Sequence, residues 1–155
     1  MLRRKKLSLD EAMAAINAVV AHAKAHNHAG VACAVVDANG DIVAGAVMDG
    51  RAARVYKSAQ RKAYSAAKFE HDTSWILELH SQMESSGHRG PQDWNDPILT
   101  TLAGGYVVVD EEENVLGAIG VGGGSRGEFS DLAFVKIALV AMGDSYHHRP
   151  GKQEH

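Results

Sequence analysis

At 155 residues the chain is long enough to bury a core without disulfide or metal staples. Its net charge of −3 and pI near 6.3 give no electrostatic reason for a nucleic-acid partner, and no apolar run approaches the ~18 residues of a membrane span. The single cysteine, Cys33, excludes an internal disulfide; with no signal-like apolar segment at the start, the reading is cytoplasmic.

Arg3 to Lys6 form a basic tail, residues 1–6, ahead of one domain over residues 7–142. Ser8 and Glu11 make a capping box, and Leu9, Met13, Ile16, Val20 and Ala23 trace a helical stripe that ends before Gly30. Val31 to Asp37 and Asp41 to Met48 are strands around Asn39-Gly40, a pair that favours a tight I′ turn. An alanine-rich helix follows from about Ala52 to Phe69, with Ala52, Val55, Ala59, Ala63 and Ala66 inward. Asp72 or Thr73 caps a third helix, whose Trp75, Leu79 and Met83 share a face, and Ser85 to Pro97 is irregular. Tyr106 to Asp110 and Val115 to Val121 are strands about a polar reversal, with Gly117 and Gly120 marking close backbone approach. A glycine triplet, Gly122 to Gly124, then releases the chain into a helix at about Ser130, with Leu132, Val135, Leu139 and Met142 on one face. Residues 143–155, including His147 and His148, are expected to be a disordered tail. This order predicts an α/β sandwich on an antiparallel sheet.

Chemistry-bearing residues concentrate in a few places. His22 and His26, spaced i, i+4, can share a helix face, but no third ligand is fixed beside them, so no metal site is expected and capping of the helix end is favoured. The segment from His88 to Pro97 packs an imidazole, a guanidinium, carboxylates, amides and an indole into one loop. There His88 and Asp93 are candidates for proton transfer, Arg89 for a carboxylate fork, Trp94 for a pocket wall, and Asp96 for ligand contact. The same residues also suit a plain turn, since Gly90-Pro91 and Asp96-Pro97 are loop punctuation. The glycine triplet lacks the Gly-Lys-Ser/Thr ending of a P-loop, and an antiparallel sheet does not carry a dinucleotide fingerprint.

The run from Val115 to Gly123, followed by Asp131, resembles the GlcG/HbpS-like family of haem-degrading, PduO C-terminal-like domains. Leu7 to Ala12, Val35 to Gly40, Met48-Asp49-Gly50, and Lys62-Ala63 with Ala66-Ala67 and Phe69 match in family order, so the resemblance covers about residues 7 to 142. It implies a profilin-like sandwich, a roughly five-stranded antiparallel sheet with helices on both faces, assembled as a homo-oligomer. It also implies a ligand site drawn from Asp49, Lys62, Gly104, Gly105, Gly123 and Asp131, with Lys62 either snorkelling or held by a carboxylate such as Asp49. The segment before the Gly104-Gly105 strand departs from the family's shorter glycine- and proline-rich stretch, which favours a specialised small ligand. Two functions follow. The first is binding of haem or a related tetrapyrrole, with His80, His88 or His28 as axial ligand and no covalent attachment. The second is a small catabolic enzyme acting on an acidic or aromatic metabolite through the 88–97 loop, as some family members travel with catabolic operons.

Overall fold

A computed structural model of the protein describes residues 5–152, so Arg3 and Arg4 of the basic tail lie outside the described residues. In chain order it carries α1 (Leu9–Ala25), β1 (Ala32–Asp37), β2 (Ile42–Val47), α2 (Ala53–Phe69), α3 (Thr73–Glu84), β3 (Gly105–Val109), β4 (Val115–Gly122) and α4 (Asp131–Met142). Short 3-10 turns lie at Gly90–Asp93 and Gly127–Phe129. The strands form one antiparallel sheet in the order β2-β1-β4-β3. Against the roughly five strands expected, the sheet has four among the described residues, with an isolated bridge from Val109 to His147 beyond β3.

Local chemistry sets the element ends. Ser8 accepts from the Glu11 N–H while Glu11 accepts from the Ser8 N–H, the capping box of α1. Ser130 caps α4 by accepting from the Ala133 N–H. The β1–β2 reversal differs from the I′ turn expected: Gly40 has φ +88° but Asn39 does not leave negative φ, and the pairing shifts between Val35 and Val36. The Asp37 carboxylate accepts from the Asn39 and Asp41 N–H groups, which fixes the longer loop from within.

Strand alternation splits the core in two. Cys33, Val35, Tyr106, Val108, Ile119 and Val121 face α1 and α4. Ala32, Ala34, Val36, Val107, Val109 and Ala118 face α2. Helices therefore cover both faces, as the resemblance implies. Alanine lets α2 lie close to the sheet: a Cβ on Gly120 would sit 2.0 Å from the Ala59 carbonyl oxygen, so only glycine fits there. In α1 the buried face is Ala12, Ala15, Ile16, Val19 and Ala23, while Leu9 and Met13 are exposed. The expected stripe is thus rotated toward the alanines, because close packing against α4 rewards small side chains over long ones.

The end of the chain is also a correction. Of the disordered tail expected over 143–155, residues 153–155 lie outside the described residues, while 143–152 run back along α3 and β3, and the Gly151 and Lys152 N–H groups donate to Ser74 and Glu78. Asp72 is fully buried at the N-cap position of α3, as expected, but its side chain makes no capping hydrogen bond. Its carboxylate instead accepts from the Val107 N–H (3.0 Å), the Arg149 N–H (3.3 Å) and His148 Nδ1 (2.5 Å). His148 stacks on Tyr106 with ring centroids 3.9 Å apart. Thr73 Oγ1 accepts from the Gly105 N–H, and His147 and Val109 exchange backbone hydrogen bonds at 2.9 Å.

Candidate ligand site at the glycine turn

Three elements converge where β4 runs out. Lys62, on the sheet-facing side of α2, is only 3% exposed, so its ammonium requires partners. It donates to the Val121 carbonyl at 2.9 Å and to Asp131 Oδ2 at 2.7 Å. The other oxygen of Asp131, in the first turn of α4, accepts from the Gly124 N–H at 2.6 Å. The buried cation thus ties α2 to the end of β4 and the start of α4 through one carboxylate. Gly104 makes room for it: its φ is +112°, and a Cβ there would lie 2.7 Å from the Asp131 Cβ and 3.4 Å from the Lys62 Nζ. Gly105 presses on the Lys62 carbonyl from the same side. Of the residues drawn from the resemblance, Lys62, Gly104, Gly105, Gly123 and Asp131 come together. Asp49 does not: it is exposed, and the carboxylate holding Lys62 is Asp131.

Beside this pair lies a cleft of about 460 Å³, lined by Arg51, Arg54, Ser58, Lys62, Leu102 and Asp131 among others. Arg51 reaches it from the turn before α2 and donates to the Gly123 carbonyl at a long 3.4 Å, while its Nε is buried without a partner. Neither Arg51 nor Arg54 has a carboxylate partner among the described residues. Both arginines escape a sequence reading that looks for named motifs. The signal was present: Arg54, Ser58 and Lys62 are spaced i, i+4, i+8, and α2 opens with cations where its dipole disfavours them.

On the far side of the glycine turn sits a group of imidazoles. The rings of His22, His26 and His28 all lie within 6.0 Å of Phe129, and His22 and His26 are 4.3 Å apart. Hydrogen-bond partners fix the ring protons. His26 Nδ1 faces the His22 carbonyl at 2.9 Å, which can only accept, so Nδ1 carries the proton and the Nε2 lone pair is free. His28 is the reverse: its Nδ1 accepts from the Gly30 N–H at 3.1 Å, so the neutral ring carries its proton on Nε2, 3.3 Å from Ser125 Oγ. Among the described residues no group of three or more His, Cys, Asp or Glu side chains has the geometry to hold a metal ion.

The 88–97 loop is a separate place, and its polar groups are largely committed to one another. Asp93 accepts from the Arg89 backbone N–H (2.8 Å) and from its guanidinium (2.7 Å), which holds the carboxyl below its usual range. Asp96 accepts from the Tyr64 hydroxyl at 2.5 Å and the Ile98 N–H, and is likewise held low, while the Tyr64 phenol is raised. Trp94 packs edge-on against Phe69, 5.1 Å away, rather than standing free as a pocket wall. His88 is exposed, and His80 lies beneath the loop with a buried, unpartnered Nδ1 pressed against Gly90. Arg89 and Asp93, expected as ligand anchor and proton carrier, therefore serve each other. Cys33 is buried in β1, which pushes its thiol up to about 12.

A family model described as haem degrading protein, HbpS-like, matches residues 7–139, and with that much of it covered the chain belongs to this family. Among solved structures it is similar to a double mutant of Streptomyces reticuli HbpS, with 29% identity over 92% of this chain and 91% of that one and a TM-score of 0.76. Klebsiella pneumoniae protein ORFY is 26% identical over 92% of this chain and 94% of that one, with a TM-score of 0.74. A PduOC:heme complex shares the fold, at 22% identity over 88% of this chain and 95% of that one and a TM-score of 0.73. No curated protein matches the chain.

Proposed function

We propose that this member of the HbpS-like family binds haem, or a closely related tetrapyrrole, on the imidazole face beside the glycine turn. The observation that carries this reading is the fixed proton of His26. An imidazole whose Nδ1–H rests on a backbone carbonyl presents a lone pair at Nε2 in a set orientation, the arrangement that metal-binding histidines use. Phe129 and His22 beside it offer weakly polar aromatic faces against which the edge of a macrocycle can pack. The residues present therefore fit the group. When bound, haem would supply iron-centred redox or sensing chemistry; the chain's part is to hold and orient it.

His26 is favoured over the axial candidates of the sequence reading for stated reasons. Ligation through His28 would displace either the Gly30 N–H or the proton on Nε2. His80 offers a buried Nδ1 that Gly90 blocks, and His88 stands in an exposed loop. The alternative, a catabolic enzyme using His88 and Asp93, is not favoured, since Asp93 is taken by Arg89. The reading extends to a homo-oligomer in the cytoplasm, serving a catabolic operon, with residues 7–142 and the returning segment 143–152 as one working domain. The exposed Leu9, Met13 and Val140 support the oligomer, and the free thiol of Cys33 supports a reducing compartment.

Haem titration of the tag-free protein tests the reading. The expected result is a saturable Soret shift at one haem per chain, lost in His26→Ala and kept in His28→Ala. A flat or non-stoichiometric response, or equal binding by His26→Ala, overturns it.

A further inference from the structure

We infer that the cleft between the start of α2 and the glycine turn is a binding site for a carboxylate dianion. The inference stands on the arginines and does not rest on the haem reading. Two guanidiniums and an ammonium line the cleft against one carboxylate, and that carboxylate is already committed to Lys62 and the Gly124 N–H. Arg51 and Arg54 are left without a counter-charge among the described residues. Arg51 is the more telling of the two. Its Nε has no acceptor and its bond to the Gly123 carbonyl is long at 3.4 Å, so a half-buried guanidinium at the cleft wall has most of its donors unspent. A guanidinium presents its Nε–H and a terminal N–H in the fork that matches a carboxylate's two oxygens.

The rest of the lining defines the ligand further. Ser58, between Arg54 and Lys62 on the same face of α2, adds a hydroxyl that can donate or accept. Leu102, Ala103 and Val55 give an apolar side suited to a short methylene bridge. A volume of about 460 Å³ lies at the small end of the roughly 300–1,000 Å³ typical of metabolite sites. Lys62 is held off the ligand by Asp131 and serves to position the turn, so direct contact falls to Arg51 and Arg54. The shared chemistry, paired carboxylates, has two sources: a free short dicarboxylate, or the propionate pair of a bound haem.

Calorimetric titration of the full, ligand-free chain with succinate, alongside Arg51→Gln and Arg54→Gln, separates these. Urea midpoints matching the parent protein show that the variants fold. Saturable binding of one succinate per chain, weakened at least tenfold in Arg51→Gln, establishes the site with a free dicarboxylate as source. If succinate is silent, haem must bind Arg51→Gln at least tenfold more weakly than the parent, while haem dimethyl ester binds both alike; this establishes the site with propionates as source. Failure of both patterns overturns the inference. A parent protein that takes no haem leaves the succinate titration to decide alone, so the two readings fail separately.

Discussion

The pair Lys62–Asp131 allows an asymmetric test, because its two members differ in exposure: Lys62 has 3% of its side chain exposed and Asp131 23%. Replacing Asp131 by Ala strands an ammonium that water cannot reach, with only the Val121 carbonyl to accept from it. Breaking a buried pair in this way costs about 3–5 kcal/mol, and the partial solvation of Asp131 places this case near 3. Replacing Lys62 by Met removes the buried charge along with its partner's cation, fills most of the same volume, and leaves Asp131 with the Gly124 N–H and solvent. That change should cost about 1 kcal/mol. At about 2–4 °C per kcal/mol for a chain of this size, the melting temperature falls by about 6–12 °C for Asp131→Ala and about 2–4 °C for Lys62→Met. Urea unfolding with an unchanged slope confirms that stability, rather than compactness, has moved. If Lys62→Met is as damaging as Asp131→Ala, or if both fall within about 0.5 kcal/mol of the parent, burial of the ammonium is not what organises the glycine turn.

Two further outcomes can be checked directly. In the 88–97 loop, His88→Ala and Arg89→Ala should each shift stability by less than about 0.5 kcal/mol in urea unfolding, because His88 is exposed and the Arg89–Asp93 pair lies at the surface; a larger loss would show the loop to be a structural keystone. Tyr146 donates its hydroxyl to Glu11, which raises its phenol to about 12 from an ordinary 10.0. A group raised on folding contributes fully below its ordinary value and loses that contribution as pH climbs through the higher one. The absorbance difference between the parent and Tyr146→Phe should therefore titrate near pH 12, and the stability gap between them should close across pH 10 to 12; a midpoint near 10 refutes the contact. Glu11 shows the opposite case. Burial pushes its carboxyl up, but the Tyr146 hydroxyl and the Ser8 backbone outweigh that and hold it low, so its contribution is lost in acid.

What the sequence disclosed was what neighbours along the chain decide. Ser8 with Glu11, and Ser130 before Asp131, are readable as caps because the groups they satisfy lie three residues away. Gly120 was readable as a close approach because strands seldom tolerate glycine without a reason. Lys62 and Asp131 both stand out in the sequence, yet the carboxylate nearer to Lys62 along the chain is Asp49, not its actual partner Asp131. Their pairing depends on how α2 crosses the end of β4, which no local pattern encodes. Asp72 holds the N-cap position that local logic predicts, but its carboxylate is spent on Val107 and His148, brought to it by folding. His26 caps the end of α1 as its spacing predicts, with Nδ1 on the His22 carbonyl, and that same contact sets its ring apart from His28, whose Nδ1 accepts from Gly30.

The Asp72–Thr73 arrangement reaches beyond the stability of α3. The outward N–H groups of β3 at Gly105, Val107 and Val109 are taken in turn by the Thr73 hydroxyl, the Asp72 carboxylate and the His147 carbonyl. A helix start and the returning chain end thereby act as a makeshift neighbouring strand, and this rim of the sheet is sealed against strand addition. Among the described residues the opposite rim, β2, pairs only with β1, and it exposes Ile42 and Val47. Growth of the sheet across molecules, whether orderly or as aggregation, accordingly has one open direction, and cutting the chain after Met142 would free the Val109 N–H on the other rim while Thr73 and Asp72 keep Gly105 and Val107 covered.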